Sequence, residues 1–278
     1  MNYQSLLTEG TKRLEQAGVP DPQVDAWELM SFAFSLNRKD YLMKLKCEAE
    51  DEGTAAYDRL LSRRETRKPL QQILGHTGFM GLDFIVNEHV LSPRQDTECL
   101  VEQAHKQLNQ GERLLDLCTG SGCILICLMH MGQEIEGFGV DISDDALKVA
   151  AANAKKNFVH PRLLQGDLFR PVWDMGFDMI VSNPPYIPSR VISSLMPEVR
   201  DFEPLRALDG SDDGLLFYRR IVKDAPRHLN DGGRLLFEIG IGQKEAVESL
   251  LFDAGFCDIR SYKDYSHNDR VISARYLR

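Results

Sequence analysis

The 278-residue chain lacks the cation excess of a polyanion binder: 33 lysines and arginines stand against 42 aspartates and glutamates, a net charge of −9. With few cations to exchange against phosphate counterions, a general nucleic-acid or membrane-surface binder is disfavoured, and no direct nucleic-acid partner is expected. No apolar run approaches the roughly 18 residues a membrane helix needs. The opening MNYQSLLTEGTKRLEQ has neither the basic start nor the apolar stretch of a secretory signal, so a cytoplasmic protein is expected. Cysteine is sparse too. Cys47, Cys99, Cys118, Cys123, Cys127 and Cys257 contain no C-x-x-C pair, which argues against a disulfide framework and for reduced thiols. Cys123, Cys127 and His130 share a helical spacing that could ligate a metal, but Ile124 and Leu128 lie on the same stretch. A helix packed on a sheet accounts for them better, and no metal is expected.

No internal repeat is present, and the character of the chain changes near residue 75. Leu6, Leu7 and Leu14 recur at near-helical spacing, a more apolar helix follows Asp21-Pro22, and a charged one spans 51–68 before Pro69. Residues 1–75 therefore read as a small helical domain for substrate recognition. The cluster Arg63, Arg64, Arg67 and Lys68 reads as a solvated helix end, with contact to an RNA-associated partner as the sharper alternative. Residues 76–92, with Gly78, Gly81 and alternating apolar positions, read as a hairpin linker. From 93 to 278 strands alternate with helices: strands at 113–117, 135–140, 177–182, 234–239, 256–262 and 271–276, helices at 123–131, 143–156, 215–229 and 243–254. Such alternation means an α/β fold, a largely parallel Rossmann-like sheet covered on both faces. Ligands bind such sheets at the carboxyl ends of the strands.

The first strand-end loop is Asp116-Leu117-Cys118-Thr119-Gly120-Ser121-Gly122. Gly120 and Gly122 let the backbone turn and approach a ligand, and the helix start behind them offers unpaired N–H groups. A nucleotide-like cofactor is implied. The dinucleotide fingerprint would need a third glycine near position 125, where Leu125 stands, which weakens an NAD reading. The next strand ends in Asp141, placed to accept the two ribose hydroxyls of an adenosine, or simply to cap the following helix with Ser143. Asp167 in Gln165-Gly166-Asp167 could meet an adenine amino group or be an ordinary turn residue. The most specific element is Asn183-Pro184-Pro185-Tyr186 after the strand at 177–182. Two prolines stiffen the backbone, so the Pro184 carbonyl and the Asn183 side chain can present fixed acceptors with Tyr186 as a flat ring beside them. That set is a receptor for a planar NH2 group, an amide or an exocyclic base amine.

With these residues the chain resembles the class I S-adenosylmethionine-dependent methyltransferases. Within them it is most similar to the protein-(glutamine-N5) methyltransferases that modify peptide chain release factors. The similarity runs through Leu91-Ser92-Pro93-Arg94-Gln95-Asp96-Thr97-Glu98, the two loops above, and Asp201-Phe202-Glu203-Pro204-Leu205-Arg206-Ala207-Leu208-Asp209-Gly210 followed by Asp213-Gly214. Gln95 replaces a usual proline and Cys118 a common glycine. The resemblance implies a seven-stranded sheet with the last strand antiparallel. It implies S-adenosylmethionine as cofactor and S-adenosylhomocysteine as product, with cofactor contacts at Cys118, Thr119, Gly120, Ser121, Gly122, Asp141, Leu168 and Asn183. It also implies a release factor as partner, its glutamine in a Gly-Gly-Gln-type loop held by Asn183, Pro184, Pro185 and Tyr186. Pro93, Arg94, Thr97 and Glu98 match a motif near the cofactor, or form a capped and salt-bridged helix start. The rival enzyme reading is methylation of an adenine or guanine amino group in RNA or DNA, since a base amine offers the same two hydrogens.

Overall fold

The structure is a computed structural model that describes all 278 residues. The chain divides into a smaller unit, residues 1–75 with Met196–Phe202, and a larger one formed by the remainder.

The smaller unit contains α1 (Tyr3–Gln16), α2 (Pro22–Phe34), α3 (Arg38–Lys44), α4 (Asp51–Glu65) and α5 (Leu70–Leu74). Asn2 and Asn37 cap α1 and α3 by accepting the N–H of Ser5 and Asp40, satisfying donors that a helix start leaves free. Apolar stripes from α1, α2 and α4 meet in a core of Leu14, Ala26, Trp27, Leu29, Met30, Tyr57 and Leu61. The basic cluster departs from expectation. α4 ends at Glu65, and the Arg64 side chain is only 4% exposed: it donates to Asp25 at 2.7 Å and to Glu198 at 3.0 Å. Arg67 adds two 2.7 Å bonds to Glu198, and Gln72 donates to the Phe202 carbonyl. These two arginines are not a solvated helix end. They are internal counterions, and they hold the returning segment, including α10 (Pro197–Arg200), in this unit.

The larger unit starts with the hairpin β1 (His76–Phe79) and β2 (Leu82–Ile85). Expected as a linker, it is part of this unit's core: Phe79 and Phe84 are buried, and Asn153 both donates to and accepts from the backbone of Ile85. After α6 (Gln95–His105) come β3 (Arg113–Leu117), α7 (Cys123–Met131), β4 (Glu136–Asp141), α8 (Asp144–Lys156), β5 (Arg162–Gln165) and β6 (Phe177–Ser182). The short helices α9 (Ser189–Ile192) and α11 (Leu205–Leu208) precede α12 (Leu216–His228), β7 (Leu229–Glu238), α13 (Lys244–Asp253), β8 (Cys257–Lys263) and β9 (Asp269–Arg275). The seven strands lie in the order β5-β4-β3-β6-β7-β9-β8, with β9 the one antiparallel strand. The expected seven-stranded methyltransferase-type sheet is therefore present.

Neighbouring strand residues point to opposite faces. Leu114, Met179, Val181 and Leu236 pack under α6 and α7, while Leu115, Ile180, Leu235 and Phe237 pack under α12 and α13. Cys123 and Cys127 belong to the first of these layers and His130 is exposed, as a packed helix requires. β4 and β5 lie on one side of β3 and β6 on the other, so the chain reverses direction of travel at β3 and opens a crevice beyond its carboxyl end. In register, Leu117 stands level with Val140 and Ser182, which brings the three following loops to one rim. No helix is long and apolar enough to cross a membrane.

Candidate active site

At that rim is a cavity of about 650 Å³, of the size small-molecule sites occupy. Cys118, Thr119, Gly120, Ser121, Asp141, Leu168, Asn183 and Pro185 are on its wall; Gly122, Pro184 and Tyr186 are not.

The loop after β3 is built by its hydrogen bonds. The Thr119 hydroxyl donates to Asp116 at 2.6 Å, the Gly122 N–H returns to the Thr119 carbonyl, and the Gly120 N–H donates to Asp141 Oδ2 at 2.9 Å. Gly120 has φ +54°, and a Cβ added there would meet nothing closer than the Cys118 carbonyl at 4.0 Å, so this glycine faces open space. Gly122 serves a different purpose from the expected ligand approach. Its missing Cβ would lie 3.0 Å from Ile126 and 3.2 Å from Ala150, so it lets α7 and α8 pack closely. Asp141 accepts from the N–H groups of both Gly120 and Ser143, while the Ser143 hydroxyl caps α8. Its carboxyl is pushed up by burial, which those backbone bonds oppose. Asp167 is on the wall and pairs with Arg220 at 2.7 Å. The pair uses Oδ2, and Oδ1 has no protein partner.

Ser182 ends β6 and anchors the second loop by donating to the Leu117 carbonyl at 2.7 Å. Asn183 Nδ2 donates to Thr97 Oγ at 3.4 Å, leaving Oδ1 without a protein partner. The two prolines that follow are buried. Tyr186 packs against the core beneath α12 and donates its hydroxyl to Glu238 Oε1 at 3.3 Å. Gln243 clamps the loop from below: its Nε2 donates to the carbonyls of Tyr186 and Gly214, and its Oε1 accepts the Gly240 N–H. Neither Glu238 nor Gln243 was singled out from sequence.

The segment before α6 also lines the cavity through Ser92, Pro93, Arg94 and Thr97. Arg94 makes no cap on α6 but pairs with the buried Glu203 at 2.7 Å, and Glu98 turns away to accept the Met80 N–H. Ser92 Oγ on the wall and Asp116 Oδ1 beneath the loop are buried without a partner. Of the two, only the Ser92 hydroxyl faces the cavity, where it suits a polar group of a ligand.

Residues 5–75 match the family model described as PrmC N-terminal domain, and residues 93–196 the one described as methyltransferase small domain. A release factor glutamine methyltransferase of Geobacter sulfurreducens is 42% identical over 262 residues, covering 94% of this chain and 92% of its own. One of Agrobacterium fabrum is 39% identical over 277 residues, covering 97% and 96%. Among solved structures, a methyltransferase from Pyrococcus furiosus shares the fold with a TM-score of 0.55 at 17% identity, covering 72% of this chain and 92% of its own.

Proposed function

The chain belongs to the release factor glutamine methyltransferase family, and from that premise we propose how its residues carry the reaction. The enzyme transfers a methyl group to the side-chain amide nitrogen of a glutamine in peptide chain release factors. S-adenosylmethionine, when bound, supplies an electrophilic methyl group on a sulfonium. The residues present fit such a cofactor. The cavity has adequate volume, Gly120 leaves room over the loop, Asp141 offers a carboxylate at the tip of β4, and Ser92 Oγ on the wall has no partner. Cys118 to Ser121, Asp141, Leu168 and Asn183 would hold it, with Gly122 acting through helix packing.

An amide nitrogen is a poor nucleophile because its lone pair is delocalised into the carbonyl. Asn183 Oδ1 and the Pro184 carbonyl each accept one of its two hydrogens, which fixes the nitrogen against the cavity and favours the positive charge it gains on alkylation. Tyr186 supports the loop that carries both acceptors. The release factor is the protein partner, engaged through a glycine-flanked glutamine that can enter a narrow opening. The observation that carries the reading is the Asn183 side chain: its NH2 end is tied to Thr97 and its Oδ1 is left unpaired beside the cavity.

The test is mass spectrometry of release factor incubated with labelled cofactor and either wild-type enzyme or Asn183→Ala. One lost acceptor in an oriented site slows turnover by roughly a hundredfold. Saturating cofactor should not restore the rate; if it does, Asn183 is a binding residue and the amide receptor is wrong. Methylation of bare RNA or DNA with none on release factor would overturn the substrate.

A further inference from the structure

Glu238, at the carboxyl end of β7, is 2% exposed and absent from the cavity wall, yet it stands behind both side chains of the catalytic loop. Tyr186 donates to its Oε1. The Thr97 hydroxyl stands beside the same carboxylate and favours its charged form. Thr97 Oγ already accepts from Asn183 Nδ2. Having accepted, that hydroxyl has one proton to place, and Glu238 Oε2 is buried with no hydrogen-bond partner. Asn183 thus donates to Thr97 and Tyr186 donates to Glu238 from the other side, and the unfilled Oε2 is the acceptor left for the Thr97 proton.

We propose that Glu238 is a positioning residue for methyl transfer, acting through Thr97 and Tyr186 to fix which end of the Asn183 amide meets the substrate. The proposal rests on the amide-receptor reading of Asn183. Without an acceptor behind it, the Thr97 proton could go to Asn183 instead. The amide would then turn its NH2, a donor, toward a substrate that offers only N–H bonds at the reacting nitrogen. Two donors facing each other do not hold a nucleophile in line.

Other charged and titratable groups set the state of this carboxylate. Arg270 from β9 favours the ionised form, Asp96 from α6 opposes it, and Tyr218 from α12 donates to the Glu238 backbone carbonyl. Burial outweighs the rest and pushes the carboxyl up to about 7. The ionised form is the one that accepts from both hydroxyls, so wild-type kcat should fall as pH drops below about 7.

Three variants test this with release factor as substrate: Thr97→Val, Thr97→Ser and Glu238→Gln. Thr97→Val should lower kcat about 10- to 100-fold, the usual scale for misaligned reactants, and the loss should persist at saturating cofactor. Thr97→Ser should recover most of that loss. Glu238→Gln presents one acceptor oxygen and one NH2, so it should lower kcat similarly and abolish the acid limb near pH 7. Wild-type turnover in Thr97→Val would overturn the proposal, as would a Glu238→Gln enzyme that keeps both rate and acid limb, or a loss that excess cofactor reverses. Asn183→Ala, run alongside, separates the two ideas. If it is slow while Thr97→Val is not, only the positioning role fails; if it is as fast as wild type, the amide receptor itself fails.

Discussion

Asp116 offers the clearest quantitative prediction. It lies at the base of the cofactor loop, fully buried, with one side-chain bond from Thr119 at 2.6 Å and Oδ1 unpartnered. Burial, opposed by that bond, raises its carboxyl from 3.8 to about 7. Between those values the folded protein holds a proton that the unfolded chain has released. Stability therefore falls as pH rises through this window, by about 1.4 kcal/mol per pH unit and about 4 kcal/mol in all. Asparagine has the same shape, can still accept the Thr119 hydroxyl, and does not ionise. Asp116→Asn should match wild type near pH 4 and be more stable above pH 7, by up to about 4 kcal/mol. Urea unfolding of both proteins at half-unit steps from pH 5 to 8 measures the difference directly. The other raised carboxyls are present in both proteins and cancel to first order. A stability difference that stays flat across this range would refute the reasoning, because it would mean that Asp116 does not change charge there.

Arg64→Met strands the buried Asp25, while Glu198 keeps Arg67; breaking such a pair costs about 3–5 kcal/mol, and an unchanged melting temperature would rule it out. Gly120→Ala and Gly122→Ala both place a Cβ at positive φ, but only the second drives it against Ile126 and Ala150. Gly122→Ala should therefore be the less stable of the two in thermal melts, and Gly120→Ala should lose more cofactor affinity. Asp141→Ala should weaken cofactor binding at least about tenfold by removing a charged acceptor, and it also frees the Gly120 and Ser143 N–H groups, so some stability goes with it. Unchanged affinity in the folded variant would remove Asp141 from the site.

The sheet was legible in the sequence where its strands are continuous apolar runs. Arg113–Leu117 and Phe177–Ser182 have the expected bounds, because strands covered on both faces leave no ambiguity about what is buried. β7 begins five residues earlier than its apolar run suggests, since Leu229 to Gly233 reaches β6 through an irregular, glycine-containing stretch. α3 gave no periodic signal: Tyr41 is its one buried residue, and Leu42 and Met43 beside it are exposed. The four-residue helices α9, α10 and α11 start at or just after Pro188, Pro197 and Pro204 and are too short to show a period. Arg64 was misread because its partner Glu198 lies 134 residues further on. Charge patterning sees only near neighbours. Gly120 and Gly122 look alike in a motif, and only the surrounding helices reveal that one faces the ligand space and the other a helix. Glu238 looked like one more strand residue.

Four acids explain why the site is where it is. Asp116, Asp141, Glu203 and Glu238 all stand at or beyond the carboxyl ends of strands or on the loops facing them, and burial raises every one of their carboxyls. A core built only for stability would not keep them, since neutral groups of the same shape would pack there without a desolvation cost. Their protein partners are incomplete: one oxygen each of Asp116, Glu203 and Glu238 has no hydrogen bond. Asp141 is the exception, with both oxygens engaged by backbone N–H groups of the loop and of α8. Each of these three is thus left with one unfilled acceptor, and the fourth shapes the backbone of the cofactor loop. Asp116 and Glu203 are off the cavity wall and hold the wall residues Thr119 and Arg94, and the Asn183 loop needs the ionised form of Glu238 to hold its acceptor outward. Stability given up at these positions is what keeps the loop acceptors aligned.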